Sequence, residues 1–241
     1  MRKIQANARA LAPAGLAAGL AAGLLAACAG KVPETRYYQL AAPPPAKAAA
    51  AQGTDLVLAL EPLVVDDAYQ DERIVYRTSP YRLDYYNYHR WSAPPGALIA
   101  DYLEQALEQS GKFRAVVREA EGDVPAVLGG RVIAIEEVDE SPSRWLGRIT
   151  VELTLKDAQT GAVLWTDQLA ETEPLPAQNP EGLARALSAA LGRIAKRAIP
   201  AIAEHTQQAA AGSPAPSRGR SGPARAAARS SSAPRARTIE P

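Results

Sequence analysis

Apolar and polar residues alternate along several stretches of this chain with the period of two that is typical of half-buried β-strands. The clearest stretch is residues 148–156, where four aliphatic side chains alternate with polar ones. A loop over residues 157–161 that ends in glycine predicts a hairpin with a partner strand over residues 162–170. Apolar runs and alternation predict further strands at residues 36–40, 55–65, 74–77, 82–88, 113–118 and 126–138. Pro62 indicates that the second half of 55–65 is an edge or a bend.

A helix is predicted between Ser92 and Gly111, because apolar residues there recur at helical spacing. Ser92 suits the N-cap, Pro94 or Pro95 suits the first turn, and Gly111 suits the C-terminal stop. The predicted apolar face consists of Leu98, Ile99, Tyr102, Leu103, Ala106 and Leu107.

A second, longer helix is predicted to begin at Asn179 and Pro180 and to kink or end near Ile199, because Pro200 follows. Its apolar stripe consists of Leu183, Leu187, Ala190, Leu191, Ile194 and Ala198. The order strands, helix, strands, helix predicts the α+β class. We expect a mixed, largely antiparallel sheet with two amphipathic helices packed on one face.

The N-terminus has the pattern of a secretory signal. Arg2, Lys3 and Arg9 precede an apolar stretch that ends in Leu-Ala-Ala before Cys28, the one cysteine of the chain. This sequence is a lipobox, so we expect cleavage before Cys28 and acylation of its thiol. A plain signal peptide with an incidental cysteine is the alternative. A single cysteine also excludes an intramolecular disulfide, so the fold depends on its hydrophobic core.

Composition divides the chain into four segments. Residues 1–27 are the signal peptide, and residues 28–53 hold the anchor, a short strand and a Pro/Ala linker over 41–53. Residues 54–206, with strand 36–40, form the α+β domain. Residues 207–241 are predicted to be disordered, since they consist mainly of Ala, Arg, Ser, Pro and Gly.

Charge is distributed unevenly. Residues 209–241 carry six arginines and one glutamate, and the whole chain has a formal net charge of +1. Subtracting that tail and the three basic residues of the signal leaves −7 on residues 28–208. An acidic domain of this kind is not typical of nucleic-acid binding, so we expect no nucleic-acid partner.

Motifs for catalysis, cofactors or metals are not found in the sequence. His89 and His205 are far apart, so we expect no metal site and no cofactor. Adjacent carboxylates such as Glu136 and Glu137 point to opposite faces of a strand, and we interpret them as solvated charges. Gly129-Gly130 inside a strand pattern indicates a bulge or a close backbone approach. The sequence therefore predicts a protein that is not an enzyme.

Aromatic residues are concentrated between residues 69 and 91, where seven of the thirteen in the chain are found among four arginines. Alternation prevents all of these rings from being buried on one side of a sheet. Exposed tyrosine and arginine are typical of protein-contact surfaces. We predict that a partner contacts Tyr85, Tyr88, Arg90 and Trp91.

Residues 73–80 read Arg-Ile-Val-Tyr-Arg-Thr-Ser-Pro, residues 86–91 read Tyr-Asn-Tyr-His-Arg-Trp, and a helix is predicted from Pro94. This combination resembles the ABC-type transport auxiliary lipoproteins, the PqiC-like family. Tyr37-Tyr38-Gln39-Leu40 also matches the short strand that follows the lipidated cysteine in that family. The resemblance covers residues 36–206. It implies no catalytic residues.

The resemblance implies an auxiliary or docking subunit of an MCE-type intermembrane lipid transport system. Its partners would be a periplasmic MCE protein and an inner-membrane ABC transporter or permease. Ala29, not Asp, follows Cys28, which favours the outer membrane under enterobacterial sorting rules. The domain would then be lipid-anchored on the periplasmic face. Homo-oligomerisation is compatible with this role, although no sequence pattern requires it.

Two other functions remain open at this stage. One is a stand-alone carrier that holds lipid or another amphiphile in a cavity lined by Leu98, Leu103, Leu187 and Leu191. The other is a structural envelope lipoprotein whose basic tail, residues 209–241, binds anionic polymer or phospholipid.

Overall fold

The computed structural model describes residues 33–41, 55–118 and 124–212. Within these ranges the chain forms strands β1 (Arg36–Tyr38), β2 (Val57–Leu60), β3 (Val64–Val65), β4 (Arg73–Ser79), β5 (Arg82–Trp91), β6 (Ala115–Val117), β7 (Ala126–Ser141), β8 (Arg144–Asp157) and β9 (Val163–Pro174). It also forms the helices α1 (Pro95–Gln109) and α2 (Pro180–Gly212), and a 3-10 turn at Asp67–Tyr69. Cys28, the signal segment and most of the Pro/Ala linker lie outside the described residues.

The long strand β7 organises the sheet. One edge of β7 pairs in turn with β2, β3 and β4, all of them parallel to it. Its other edge pairs with β8, which pairs with β9, and both of these ladders are antiparallel. The bend predicted at Pro62 is what divides residues 55–65 into β2 and β3, since Pro62 lies between the two strands.

Three strands extend the sheet beyond the neighbours of β7. β6 lies parallel to β2, β5 lies antiparallel to β4, and β1 lies parallel to β5. The α+β class with a mixed sheet is therefore confirmed. Among the described strands, the antiparallel ladders are the long ones, but five of the eight pairings are parallel.

The strand β8 shows how the core forms. Four alternating aliphatic residues of this strand, Ile149, Val151, Leu153 and Leu155, are all fully buried. Full burial of each side chain contributes about 1.5–3 kcal/mol. An ideal Cβ placed on Gly147, which precedes them in this strand, would lie 3.2 Å from side-chain atoms of α2. The helix α2 therefore packs closely on this face.

The helices also contact each other, since the Tyr102 hydroxyl of α1 donates a 3.1 Å hydrogen bond to the Ser188 carbonyl of α2. Both helices contribute to the same hydrophobic core as β2, β7 and β8. The leucines that the carrier alternative requires are packed in this core, none more than 8% exposed: Leu98, Leu103, Leu187 and Leu191.

The helix α2 is longer than the sequence indicates. Pro200 was expected to kink or end it near Ile199, but the helix continues to Gly212. Pro200 is exposed, while Ile202 and Ala203 beyond it are buried in the core. Packing of this last part offsets the backbone hydrogen bond that proline removes. The prediction of disorder from residue 207 is therefore wrong for residues 207–212, and the rest of that segment lies outside the described residues.

Several local signals behave as predicted, and one does not. The Asn179 side chain accepts a 2.8 Å hydrogen bond from the Gly182 amide, as a helix N-cap should. Gly111 follows α1 with a φ of 66°, which suits a C-terminal stop. Ser92 is not the N-cap of α1, because the helix begins at Pro95 with Pro94 in that position.

The predicted close approach at the glycine pair in β7 is found at Gly130. An ideal Cβ there would lie 2.1 Å from the Glu152 carbonyl oxygen of β8. The bulge given as the alternative lies farther along the strand, where the β7–β8 register shifts between Val132 and Ala134.

Candidate partner-binding surface

Three strands at one edge of the sheet, β4, β5 and β1, form what we call the arm. β4 and β5 are a hairpin in which Ser79 pairs with Arg82. Farther from the turn the register shifts: Val75 pairs with Tyr85, but Arg73 pairs with Arg90. β5 therefore carries three more residues than β4 over this interval. Such a bulge changes which side chains face each side of the sheet.

One side of the arm brings together tyrosines and arginines from all three strands. Tyr37 of β1 pairs with Arg90 of β5, and Arg90 pairs with Arg73 of β4. Paired residues share a face, so these side chains are neighbours. The Arg73 guanidinium carbon also lies 3.9 Å from the centroid of the Tyr85 ring. We call this surface, formed by Tyr37, Arg73, Tyr85 and Arg90, the arm face.

The arm face is partly solvent-accessible and carries positive charge, with the side chains of Arg73, Tyr85 and Arg90 half-buried. Tyr37 is 62% exposed, and Tyr88, on the same strand as Arg90, is 41% exposed. Arg73 is paired with Asp71 at 2.6 Å, whereas Arg90 makes no ion pair with any residue in the described ranges. The two arginines lie opposite each other, and only Arg73 has a carboxylate partner, Asp71. This arrangement favours binding of an acidic group from outside the domain.

Of the four residues predicted to contact a partner, Tyr88 is exposed, Tyr85 and Arg90 are half-buried, and the fourth is buried. Trp91 is 1% exposed and belongs to the hydrophobic core. It pairs with Tyr38, one position beyond the Tyr37–Arg90 pair, so strand alternation turns it toward the opposite side. The prediction that Trp91 contacts a partner is therefore wrong. Tyr85, Tyr88 and Arg90 remain predicted contact residues.

Sequence reasoning also misjudged Glu136 and Glu137, which were interpreted as solvated charges. Both are fully buried in the middle of β7. They do point to opposite faces, as expected for neighbours in a strand, and each has its own set of partners. The signal that could have found them is the tyrosine-rich strand itself, because tyrosine hydroxyls buried in a sheet need acceptors.

Glu136 is held between two arginines and a tyrosine. Its carboxylate forms ion pairs with Arg77, at 3.2 Å, and with Arg148. The Tyr69 hydroxyl donates a 2.8 Å hydrogen bond to the same group. Burial and this carboxylate raise the pKa of Tyr69 to about 12. With three donors, the hydrogen-bonding capacity of this buried carboxylate is fully satisfied. Because Arg77 belongs to β4 and Arg148 to β8, the cluster links the arm to β7 and β8.

Glu137, on the other face, is less well satisfied. The Tyr86 hydroxyl donates a 2.8 Å hydrogen bond to its Oε1. Its Oε2 and the Oδ1 of Asp139 are buried with no hydrogen-bond donor within the described parts of the chain. Burial raises the pKa of Glu137 to about 7, and burial likewise raises the pKa of Asp139. A proton on one of these two carboxyl groups would supply the missing donor.

The histidines and carboxylates of the described ranges form no cluster of metal ligands. In the described ranges no three His, Cys, Asp or Glu side chains lie close enough to hold a metal ion. The ring of His89 lies 2.8 Å, Nδ1 to hydroxyl, from Tyr38. Burial and the nearby charge of Arg36 lower the pKa of His89, which favours the neutral ring. His205, the other histidine, lies on α2.

The residues described here include no helix with the length and apolar character needed to cross a bilayer. Membrane attachment through Cys28 is not tested by the structure, because that residue lies outside the described ranges. It stays a prediction from the lipobox.

Solved structures similar to this chain support the fold. A DUF330 family protein from Xanthomonas campestris superposes with a TM-score of 0.64 at 20% identity, and the match covers 72% of this chain and 98% of the other. A second, uncharacterised protein gives a TM-score of 0.58 at 16% identity and covers 70% and 99%. At these identities the likeness is one of fold alone. No curated protein matches the sequence.

The family model described as ABC-type transport auxiliary lipoprotein component matches residues 38–198. That range runs from the last residue of β1 into α2 and includes β4 and β5 of the arm, both buried glutamates and most of the core. The resemblance noted in the sequence is thus confirmed, and the chain belongs to the ABC-type transport auxiliary lipoprotein family.

Proposed function

We propose that this lipoprotein is a non-catalytic docking subunit of an ABC/MCE-type intermembrane lipid transport system, anchored through Cys28 to the periplasmic side of the outer membrane. Family membership supports the auxiliary role in transport. The lipobox and the residue after Cys28 support the anchor and the choice of membrane. In this proposal the protein contributes binding, and its partners move the lipid.

The arm face carries the proposal, because it is an exposed group of the residue types that dominate binding energy at protein interfaces. Tyrosine offers a large contact area with little entropy loss, and arginine can bind a carboxylate with two parallel hydrogen bonds. Arg90 makes no ion pair within the described ranges and lies beside Arg73. We therefore assign the partner an acidic, aromatic-accepting surface, which an MCE-type periplasmic protein would present at its outer-membrane end.

The test is co-purification of the cognate MCE protein with single alanine variants of the arm. Tyr88→Ala and Arg90→Ala are expected to lower the recovered partner about tenfold or more, which corresponds to about 1.4 kcal/mol or more of binding free energy. Both side chains are partly or largely exposed, so the thermal unfolding curve should stay within a degree or two.

Arg114→Ala is the matched control, since Arg114 is an exposed arginine next to β6, at the far side of the sheet from the arm. It should leave partner recovery unchanged. Full recovery with both arm variants would contradict the proposed docking surface. Equal losses in the control would show that the assay reports general surface charge instead.

A further inference from the structure

The order of strands changes which segment sets the distance between the domain and the membrane. The Pro/Ala linker at 41–53 has the composition of a spacer between membrane and domain. However, β1 precedes this linker in the chain and is already paired with β5. The linker therefore connects two strands of one sheet. The spacer between the acylated residue and the folded domain is only residues 28–35, and this step depends on the anchoring that we propose above.

Covalent geometry limits the reach of that spacer. From Cys28 to Arg36, the first residue of β1, there are eight residue steps. A fully extended chain spans at most about 3.3–3.6 Å per residue, so the two Cα atoms are separated by about 29 Å at most.

The direction of β1 determines toward which end of the sheet the spacer leads. β1 is parallel to β5, and Arg36 pairs with His89. Going backward from Arg36, the chain therefore heads toward the start of β5, where the β4–β5 turn lies. The β7–β8 turn is beside it, since Ser79 and Pro80 line one cleft with Glu140, the residue just before that turn. We call the two turns, Ser79 to Arg82 and Ser141 to Arg144, the sheet tip.

The spacer is long enough to reach from β1 past the sheet tip. Arg73 pairs with Arg90 next to the start of β1, and Ser79 pairs with Arg82 at the turn. Six residues of β4 separate these levels, which is about 20 Å at 3.3 Å per residue. Cys28 can therefore extend only about 9 Å beyond the sheet tip.

The opposite end of the sheet is farther from the spacer than the sheet tip is. The β8–β9 loop lies beside Pro125, whose carbonyl accepts a hydrogen bond from the Ala158 amide. Tyr76 pairs with Glu137, so the level of β1 is near residue 134 of β7, nine residues from Pro125. That is about 30 Å along the strands, and the loop is also about 20 Å across the sheet. Bringing this end to the bilayer would require the spacer of about 29 Å to be fully extended, whereas the sheet tip requires only about 20 Å.

We propose that the sheet tip rests on the bilayer surface and that Tyr81 lies in the lipid headgroup region. Tyr81 is 98% exposed at the end of the hairpin. Tyrosine is enriched at membrane interfaces, where its ring and hydroxyl contact apolar and wet surroundings. The charges near the tip are paired, Arg82 with Asp84 and Arg144 with Glu140, so they present no net charge to the lipid.

This orientation positions the arm face for docking. The arm would stand upright on the membrane, with Arg90 about 20 Å above the headgroups. A partner that binds there must itself end within that distance of the outer membrane.

An introduced cysteine can be labelled at a single position, because the sequence has no cysteine besides Cys28 and acylation consumes that thiol. The test uses acylated Tyr81→Cys and Val163→Cys variants, each labelled with an environment-sensitive dye at the new cysteine. Both are reconstituted into phosphatidylethanolamine/phosphatidylglycerol vesicles that contain a lipid with a nitroxide headgroup, which quenches the dye. Val163, at the start of β9, is 60% exposed and lies toward the far end of the sheet. We expect at least threefold stronger quenching at position 81 than at position 163. Equal quenching at both positions would overturn the inference.

Insertions distinguish the spacer from the linker. Twelve Gly/Ser residues placed after Gly30 should reduce quenching at position 81 at least twofold, while the same insertion after Lys47 should leave it unchanged. Unchanged quenching after the first insertion also overturns the inference.

Vesicle flotation keeps this inference separate from the proposed anchoring. Cys28→Ser should prevent flotation, and flotation of that variant contradicts the anchor. Flotation of the acylated protein with equal quenching at both positions contradicts only the orientation.

Discussion

Replacing Glu137 by glutamine should change how the stability of the domain depends on pH. Glu137 is fully buried, with one oxygen bound by Tyr86 and the other without a donor. Charged or titratable groups face it from β7 and β5, namely Asp139 and Tyr86, and Tyr76 pairs with it from β4. Opposite it on β8 is Gly147, which adds no charge.

The sign follows from the raised pKa. Burial raises the pKa of Glu137 from an ordinary value of 4.5 to about 7, so the folded protein keeps a proton that the unfolded chain loses between those values. The stability that this proton contributes is fully present below pH 4.5 and is lost as the pH rises through 7. At about 1.4 kcal/mol per unit, the loss is on the order of 3 kcal/mol.

Glutamine is neutral at every pH and matches the shape of the protonated acid, and its amide can donate to Asp139. We therefore expect Glu137→Gln to be more stable than the wild type by on the order of 3 kcal/mol at pH 8 and about equally stable at pH 4.5. Urea unfolding followed by circular dichroism at several pH values measures this difference. At pH 8 the melting temperature should rise by roughly 6–12 °C.

The exposed Glu108→Gln on α1 serves as the control and should change stability by less than about 0.5 kcal/mol at each pH. A Glu137→Gln variant that is less stable at pH 8, or whose advantage does not depend on pH, would refute the reasoning. Either result would mean that folding does not raise the pKa of Glu137.

Three further substitutions test the packing. Trp91→Ala should destabilise the domain by about 3–5 kcal/mol in urea unfolding, because its indole is buried in the core, and a loss below 1 kcal/mol would instead place it on the surface. Gly130→Ala should lower the melting temperature by roughly 5 °C or more, since its Cβ would collide with the Glu152 carbonyl; an unchanged melting temperature would contradict the close approach. Asn179→Ala should cost about 1 kcal/mol in the same assay by removing the cap on the Gly182 amide, and Asn179→Ser should restore most of it.

Elements with a strong local pattern could be predicted from sequence. The alternation in β8 and the glycine-ended loop after it placed the β8–β9 hairpin correctly, because one face of β8 is buried and the other is not. Asn179 with Pro180 also placed the start of α2, since capping depends only on neighbouring residues.

Features that depend on tertiary pairing could not be predicted in this way. Periodicity identifies a strand but not its neighbour, so the parallel pairing of β2, β3 and β4 with β7 is not visible in the sequence. Pro200 is a local signal for a helix end, but the buried residues beyond it favour continuation. In the candidate site, the bulge in β5 and the burial of Trp91 separate residues that composition alone groups together.

The position of β7 in the chain has a consequence for how the protein is made. Translation and secretion release the N-terminal half first, yet β2, β3 and β4 all depend on an edge that appears only when residues 126–141 emerge. Until then roughly half of the domain has no β7 edge to pair with and exposes apolar segments such as Val57–Leu60. Holdase chaperones of the envelope should therefore meet this protein mainly as an N-terminal fragment, and truncations before β7 should be degraded instead of accumulating.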